Sequence, residues 1–195
     1  MAKLAPNPAK VLLRTEIANR IAALSAEEKK RQSQSVFEKV INHPWYKSAN
    51  RISLYMSTDQ EIDTAPIITH IKARGASAFV PQYAGGIMKM LKLEPDDSET
   101  TMKVTKHGIA QHAKDQVRED ALDAGLDLII APGVAFTKNG DRCGHGGGYY
   151  DKYLANIRKD ASKAPKVMAV AFSCQIVEDL PRNEFDQKMD DVLYP

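Results

Sequence analysis

Apolar residues recur at Leu13, Ile17, Ile21 and Leu24 over the segment Pro8 to Leu24, the spacing of one buried face on an amphipathic helix. Ser25-Ala26-Glu27-Glu28 has the Ser-x-x-Glu form that opens a helix. A second helix is therefore predicted to about Asn42, with Val36, Phe37, Val40 and Ile41 inward and His43-Pro44 as its stop. From Ala49 the period changes. Arg51 to Ser57 alternates as a strand, and a helix follows from about Thr64 to Gly75 through Ile67, Ile68 and Ile71. Ala78 to Pro81 and Met88 to Leu93 are two further strands. Glu94 to Ala121 is polar and weakly periodic, which predicts loop with at most a short helix. Leu126 to Ala131 is a continuous apolar run, the signature of a strand buried on both faces. A helix from Tyr150 to Arg158 and a strand from Lys166 to Phe172 complete the pattern.

Strands alternating with helices predict an α/β fold, a single domain over residues 1–195 with a largely parallel sheet and helices on both faces. Ligands of such sheets collect beyond the C-terminal strand edges, which is where Pro132 to Asp151 should lie. The 195 residues suffice for one good-sized core. With 27 Lys and Arg against 25 Asp and Glu, the net charge of +2 argues against a dedicated duplex-binding surface and leaves room for local basic patches. No apolar run reaches the ~20 residues of a membrane helix, and Met1 to Ala9 lacks the apolar centre of a secretory signal. Two distant cysteines, Cys143 and Cys174, suit free thiols in a reducing, cytoplasmic setting.

The densest chemistry lies in Gly140 to Asp151, where Gly144, Gly146, Gly147 and Gly148 fall within five positions between a strand and a helix. Glycines there let backbone N–H groups converge on phosphate, helped by the helix dipole. No Lys-Ser or Lys-Thr follows, so this is no Walker A loop, and Tyr149 breaks a dinucleotide fingerprint. Arg142, Tyr149, Tyr150 and Asp151 distinguish it from a plain flexible turn.

Pro132-Gly133-Val134-Ala135-Phe136, then Gly-x-Arg-x-Gly-x-Gly-x-Gly-Tyr-Tyr-Asp over 140–151, resembles the signature of the 5-formyltetrahydrofolate cyclo-ligase (5,10-methenyltetrahydrofolate synthetase) family. Lys10-Val11-Leu12-Leu13-Arg14 resembles that family's N-terminal element. Tyr55-Met56-Ser57 with Glu61 to Thr64, Phe79 to Tyr83, and Asp190 to Tyr194 resemble three more in the same order. The resemblance implies a fold similar to sugar-phosphate isomerases and coenzyme A transferases. It also implies ATP-dependent closure of 5-formyltetrahydrofolate to 5,10-methenyltetrahydrofolate with Mg²⁺, by a monomer without nucleic-acid or membrane partners. Lys10, Arg14, Arg142 and Tyr150 become the catalytic candidates. Residues 10–14 and Arg142, Cys143, Gly144, His145, Gly146, Gly147, Gly148, Tyr149 and Tyr150 would bind ATP. Met56, Glu61, Tyr83 and the stretch Gly146 to Tyr150 would bind folate, and Asp151 with Asp190 would hold Mg²⁺. Cys143 stands where the family usually has leucine, and His107 to Gln111 resembles its folate segment only loosely.

Competing readings attach to individual residues. Lys10 and Arg14 also suit a solvated helix face, Asp151 a helix cap, and Glu61 compensation of a helix dipole. A non-catalytic, RNA-binding or regulatory relative is the alternative from another class. An ATP-dependent enzyme acting on a different small amide or carboxylate is the other.

Overall fold

A computed structural model describes residues 7–97, 101–105 and 108–195. Its centre is a six-stranded sheet built from β1 (Arg51–Leu54), β2 (Ser77–Ala84), β3 (Ile87–Lys92), β6 (Leu128–Ala131), β9 (Lys166–Val170) and β10 (Asp191–Leu193). The strand order is β10-β9-β6-β1-β2-β3, parallel throughout except that β3 pairs antiparallel with β2. Short two-stranded pieces stand outside it: β4 (Lys103–Val104) with β5 (Ala110–Gln111), and β7 (Ala135–Phe136) with β8 (Arg142–Cys143). The chain leaves β1 for β2 on one side, while β6 lies on the other. The gap between the ends of β1 and β6 is therefore the switch point at which such sheets bind ligands.

Alternation along the strands divides the core into two layers. Ile52, Leu54, Val80, Leu128, Ile130 and Met168 pack with residues of α1 (Pro8–Ala22), α2 (Ala26–Asn42) and α4 (Ala65–Ala73). Phe79, Ile129, Val167 and Ala169 pack with Tyr150, Tyr153 and Leu154 of α5 (Tyr149–Ile157) on the opposite face. β6 is buried at all four positions, as its unbroken apolar run predicts. Ser25 Oγ accepts from Glu28 N–H at 3.1 Å and so starts α2 where the Ser-x-x-Glu pattern places it.

Four features differ from the periodicity. Pro44 does stop α2, but it also begins a five-residue helix, α3 (Pro44–Ser48), because proline fits the first turn. β2 continues through Pro81 to Ala84; Pro81 lies beyond the last residue paired with β1, Phe79, so its missing N–H breaks no ladder. The 94–121 segment, read as loop, contains β4 and β5 among its described residues. The β7–β8 hairpin, too short for a periodic signal, separates β6 from the glycine loop.

Candidate active site

The glycine loop rises from β8 and ends on α5 at the C-terminal side of β6. Gly146 (φ 101°) and Gly148 (φ 66°) take backbone conformations that side chains disfavour. Gly148 is the N-cap of α5 and gives no side-chain cap bond, so the first N–H groups of that helix keep their capacity to meet an anion.

α1 closes over this loop. Lys10, Arg14, Ile17 and Ile21 share one face of the helix, so the stripe that buries isoleucines at one end carries two cations at the other. Arg14 Nε donates to the Gly144 carbonyl at 2.8 Å, and Lys10 Nζ lies 2.5 Å from an oxygen of Asp186. Lys10 is 6% exposed, which removes the solvated-face reading for it. Val11 and Leu12 are exposed on other sides of α1, and Leu13 is half-buried.

Beneath the loop, the buried Arg142 donates to the Pro132 carbonyl at 3.1 Å and to Asp151 Oδ1 at 2.7 Å. Its Nε has no partner among the described residues. Asp151 Oδ1 also accepts from Gln187 N–H at 3.1 Å, so the carboxylate serves as a bridge across loops rather than as a cap of its own helix. Arg142, Asp186 and Gln187 line one cavity of about 120 Å³. Cys143 is fully buried, and burial pushes its thiol pKa up, so packing is its role here.

On the other side of Arg142 lies a cluster of hydroxyls around one carboxylate. Glu61 Oε2 accepts from Thr58 N–H at 2.9 Å and Thr58 Oγ1 at 3.1 Å, an arrangement local to its turn rather than directed at α4. Burial raises the Glu61 carboxyl above its ordinary range. The Tyr83 and Tyr149 rings meet edge to face at 5.0 Å. Tyr150 is buried, its hydroxyl lacks a partner among the described residues, and Arg142 stands 5.7 Å from its ring. Burial, then the charges or dipoles of Tyr83 and Glu61, hold the Tyr150 hydroxyl protonated. Met56 is buried just beyond β1. Gln111 Oε1 accepts from Tyr83 N–H at 3.0 Å, which brings the end of the 107–111 segment to this cluster; His107 itself lies outside the described residues.

One expectation requires correction. Asp190 does not join Asp151. Its Oδ2 accepts from Val167 N–H at 2.8 Å near the start of β9, and its Oδ1 stands 3.6 Å from Arg158 at the far end of α5. The carboxylate that the fold brings to the loop is Asp186, four residues earlier in an irregular segment. Periodicity offers no signal for it, since its partner Lys10 is 176 residues away. Among the described residues no group of three or more His, Cys, Asp or Glu is arranged to hold a metal. A hard cation held by Asp151 and Asp186 would draw its remaining ligands from phosphate and water, a set that suits Mg²⁺.

The family model for 5-formyltetrahydrofolate cyclo-ligases matches residues 6–195. A 5-formyltetrahydrofolate cyclo-ligase of Mus musculus is 41% identical over 197 residues, spanning 100% of this chain and 97% of the relative. A probable 5-formyltetrahydrofolate cyclo-ligase of Caenorhabditis elegans is 36% identical, spanning 93% and 90%. The NMR structure of Aquifex aeolicus 5,10-methenyltetrahydrofolate synthetase aligns with a TM-score of 0.77 at 28% identity, over 94% of this chain and 88% of that one.

Proposed function

The chain belongs to the 5-formyltetrahydrofolate cyclo-ligase family, and on that premise we propose that it closes 5-formyltetrahydrofolate to 5,10-methenyltetrahydrofolate with ATP in the cleft between α1, the glycine loop and Glu61. The observation that carries this reading is the meeting of Arg14 with the Gly144 carbonyl, which sets a helix-borne cation against the glycine loop that leads into the uncapped start of α5. Two phosphate-binding devices thereby face one space, and the Glu61, Tyr83 and Tyr150 cluster adjoins it.

The chemistry explains the need for ATP. Closure by N10 onto the N5-formyl carbon would have to expel a hydroxide-like oxygen. Transfer of the γ-phosphoryl group to the formyl oxygen makes that oxygen a phosphate leaving group. N10 then attacks, loses its proton, and phosphate departs with the C–O bonding pair. The protein needs no covalent nucleophile; it positions the reactants and offsets charge. Backbone N–H groups of the glycine loop and of the first turn of α5 hold phosphate oxygens, while Lys10 and Arg14 balance their charge. Arg142 lies between this cradle and Tyr150, where it offsets charge growing on the transferred group. Glu61 accepts from N–H donors of the reduced pterin, Tyr150 offers its unpaired hydroxyl, and Tyr83 and Met56 wall the pocket.

Asp151 and Asp186 would hold Mg²⁺, which when bound neutralises phosphate charge. Asp151 pairs with Arg142 and Asp186 with Lys10. Holding Mg²⁺ would therefore require an exchange of partners, in which Lys10 and Arg142 turn to phosphate and free the two carboxylates. Free Cys143 and Cys174 suit a reducing, cytoplasmic compartment, and among the described residues no helix is long and apolar enough to cross a membrane.

The test mixes purified protein with 5-formyltetrahydrofolate and MgATP and follows the methenyl product by its ultraviolet absorbance. Product forms with ATP and is absent without it. Arg14→Ala and Asp151→Asn each lower kcat on the order of a hundred-fold with the fold intact by circular dichroism. No product from the unaltered protein, or unaltered rates in both variants, would contradict the reading.

A further inference from the structure

The turn between β7 and β8 carries a carboxylate with no part in the chemistry above. Asp141 is nearly buried; it accepts from Thr137 Oγ1 at 3.2 Å and returns its own N–H to that hydroxyl at 3.1 Å. Two cations reach the same side chain. Arg182 Nη1 stands 3.4 Å from each carboxylate oxygen, and Lys188 Nζ stands 3.4 Å from Oδ1. Arg182 and Lys188 are the two ends of the stretch 182–188, which runs without helix or strand. Between those ends, Asp186 meets Lys10 at 2.5 Å and the Gln187 N–H meets Asp151 at 3.1 Å. Just beyond them, Met189 N–H donates to the Gly140 carbonyl at 2.8 Å. A β-carbon on Gly140, whose φ is 87°, would run into the Met189 carbonyl, so the turn and the stretch touch at backbone level. Asp141, Arg182 and Lys188 also line the cavity of about 120 Å³ that Asp186 lines.

We propose that Asp141 is a positioning residue, whose charge clasps both ends of the 182–188 stretch and so sets Asp186 in place beside Asp151 for the divalent cation that accompanies the nucleotide. The inference rests on the reading above that Asp151 and Asp186 hold Mg²⁺. An irregular stretch has no ladder of its own to fix it, so its geometry depends on ties to its neighbours. Asp186 follows those ties, because its Oδ2 accepts from Asn183 N–H at 2.7 Å within the same stretch. The Arg182 and Lys188 side chains are 54% and 59% exposed, so either pair alone adds little to overall stability. The Asp141 side chain is only 8% exposed, and its charge needs both cations near it. The clasp therefore governs where Asp186 stands more than whether the chain folds. Groups that orient a metal's ligands tune the affinity for the metal, because they fix the ligand before the ion arrives.

The experiment measures binding of adenylyl imidodiphosphate by calorimetry, without folate, once with Mg²⁺ and once with EDTA. The ratio of the two Kd values isolates what the metal adds. Asp141→Asn keeps an acceptor for Thr137 and loses only the charge. It should shrink that ratio roughly three- to ten-fold and leave the EDTA value within about two-fold of wild type. Arg182→Met with Lys188→Met opens the clasp from the other side and should shrink the ratio equally. Adding Asp141→Asn to that pair should change it no further. Arg182→Lys with Lys188→Arg keeps both charges and should keep the wild-type ratio. A group that served folding alone would lower Tm in Asp141→Asn without moving the ratio, and that result would overturn the proposal. Asp186→Asn separates the two readings. A reduced ratio there beside a wild-type ratio in Asp141→Asn would overturn this inference alone, whereas a wild-type ratio in Asp186→Asn would overturn the metal assignment as well.

Discussion

Lys10 Nζ stands 2.7 Å from Oδ1 and 2.5 Å from Oδ2 of Asp186, a pair largely withdrawn from solvent that ties the first turn of α1 to the loop before β10. Removing one member strands the other charge. Lys10→Met should lower unfolding free energy by roughly 3 kcal/mol. Lys10→Met combined with Asp186→Asn should recover much of that loss, since a neutral amide is far less costly to leave unpaired. Urea denaturation of the two single variants and the double variant checks the coupling. Additive losses would show that the pair is not a unit in solution.

The same pair distinguishes Asp186 from Asp190 as the second carboxylate we propose for the metal. Asp186→Asn should raise the Mg²⁺ concentration for half-maximal rate on the order of ten-fold or more. Asp190→Asn should leave that concentration in place, because Asp190 serves Val167 and Arg158 instead. Its cost is structural, about 0.5 kcal/mol from the partly exposed Arg158 pair. A shifted Mg²⁺ requirement in Asp190→Asn alone would reverse the assignment.

Tyr150 carries a hydroxyl that is buried and unpaired among the described residues. If that hydroxyl is reserved for substrate, Tyr150→Phe should not destabilise the protein, and should stabilise it by up to about 1 kcal/mol, as an unmet desolvation cost disappears. Turnover should fall at the same time. Thermal unfolding beside steady-state kinetics reads both; lower stability with unchanged turnover would make it a structural group.

Glu61 has a pKa raised chiefly by burial. A group with a raised folded-state value contributes stability below its unfolded value and loses it as pH climbs through the folded one. Glu61→Gln should therefore gain on the wild type as pH rises from about 4.5 and level off above the folded-state pKa. Each kcal/mol of that gap corresponds to roughly 2–4 °C in Tm. Activity should drop, because the amide would present an N–H where the pterin needs an acceptor. A stability gap that narrows with rising pH would contradict the assignment.

Much of this was legible in the chain. Periodicity located the main helices and the β6 run, and the spacing of residues 140–151 located the glycine loop ahead of α5. Lys10 and Arg14 were readable as neighbours on α1, yet the burial of Lys10 was not, because two cations four residues apart suit a solvated helix face equally well. What lay beyond reach depends on long-range approach. Asp186 sits in an irregular segment with no period to mark it, and Asp190 has the same chemistry but lies beside the start of β9. The β7–β8 hairpin is too short to alternate, although it sets the height of Arg142 under the loop.

Lys10 and Arg142 should exchange partners when nucleotide and metal arrive, and a crystal structure with magnesium adenylyl imidodiphosphate tests that most directly. It should show the phosphates on the backbone of residues 144–148 and the first turn of α5. Lys10 should be within hydrogen-bond reach of a phosphate oxygen, and Asp151 and Asp186 beside the metal. Nucleotide bound elsewhere, or bound here with the Lys10–Asp186 and Arg142–Asp151 pairs both intact, would contradict it.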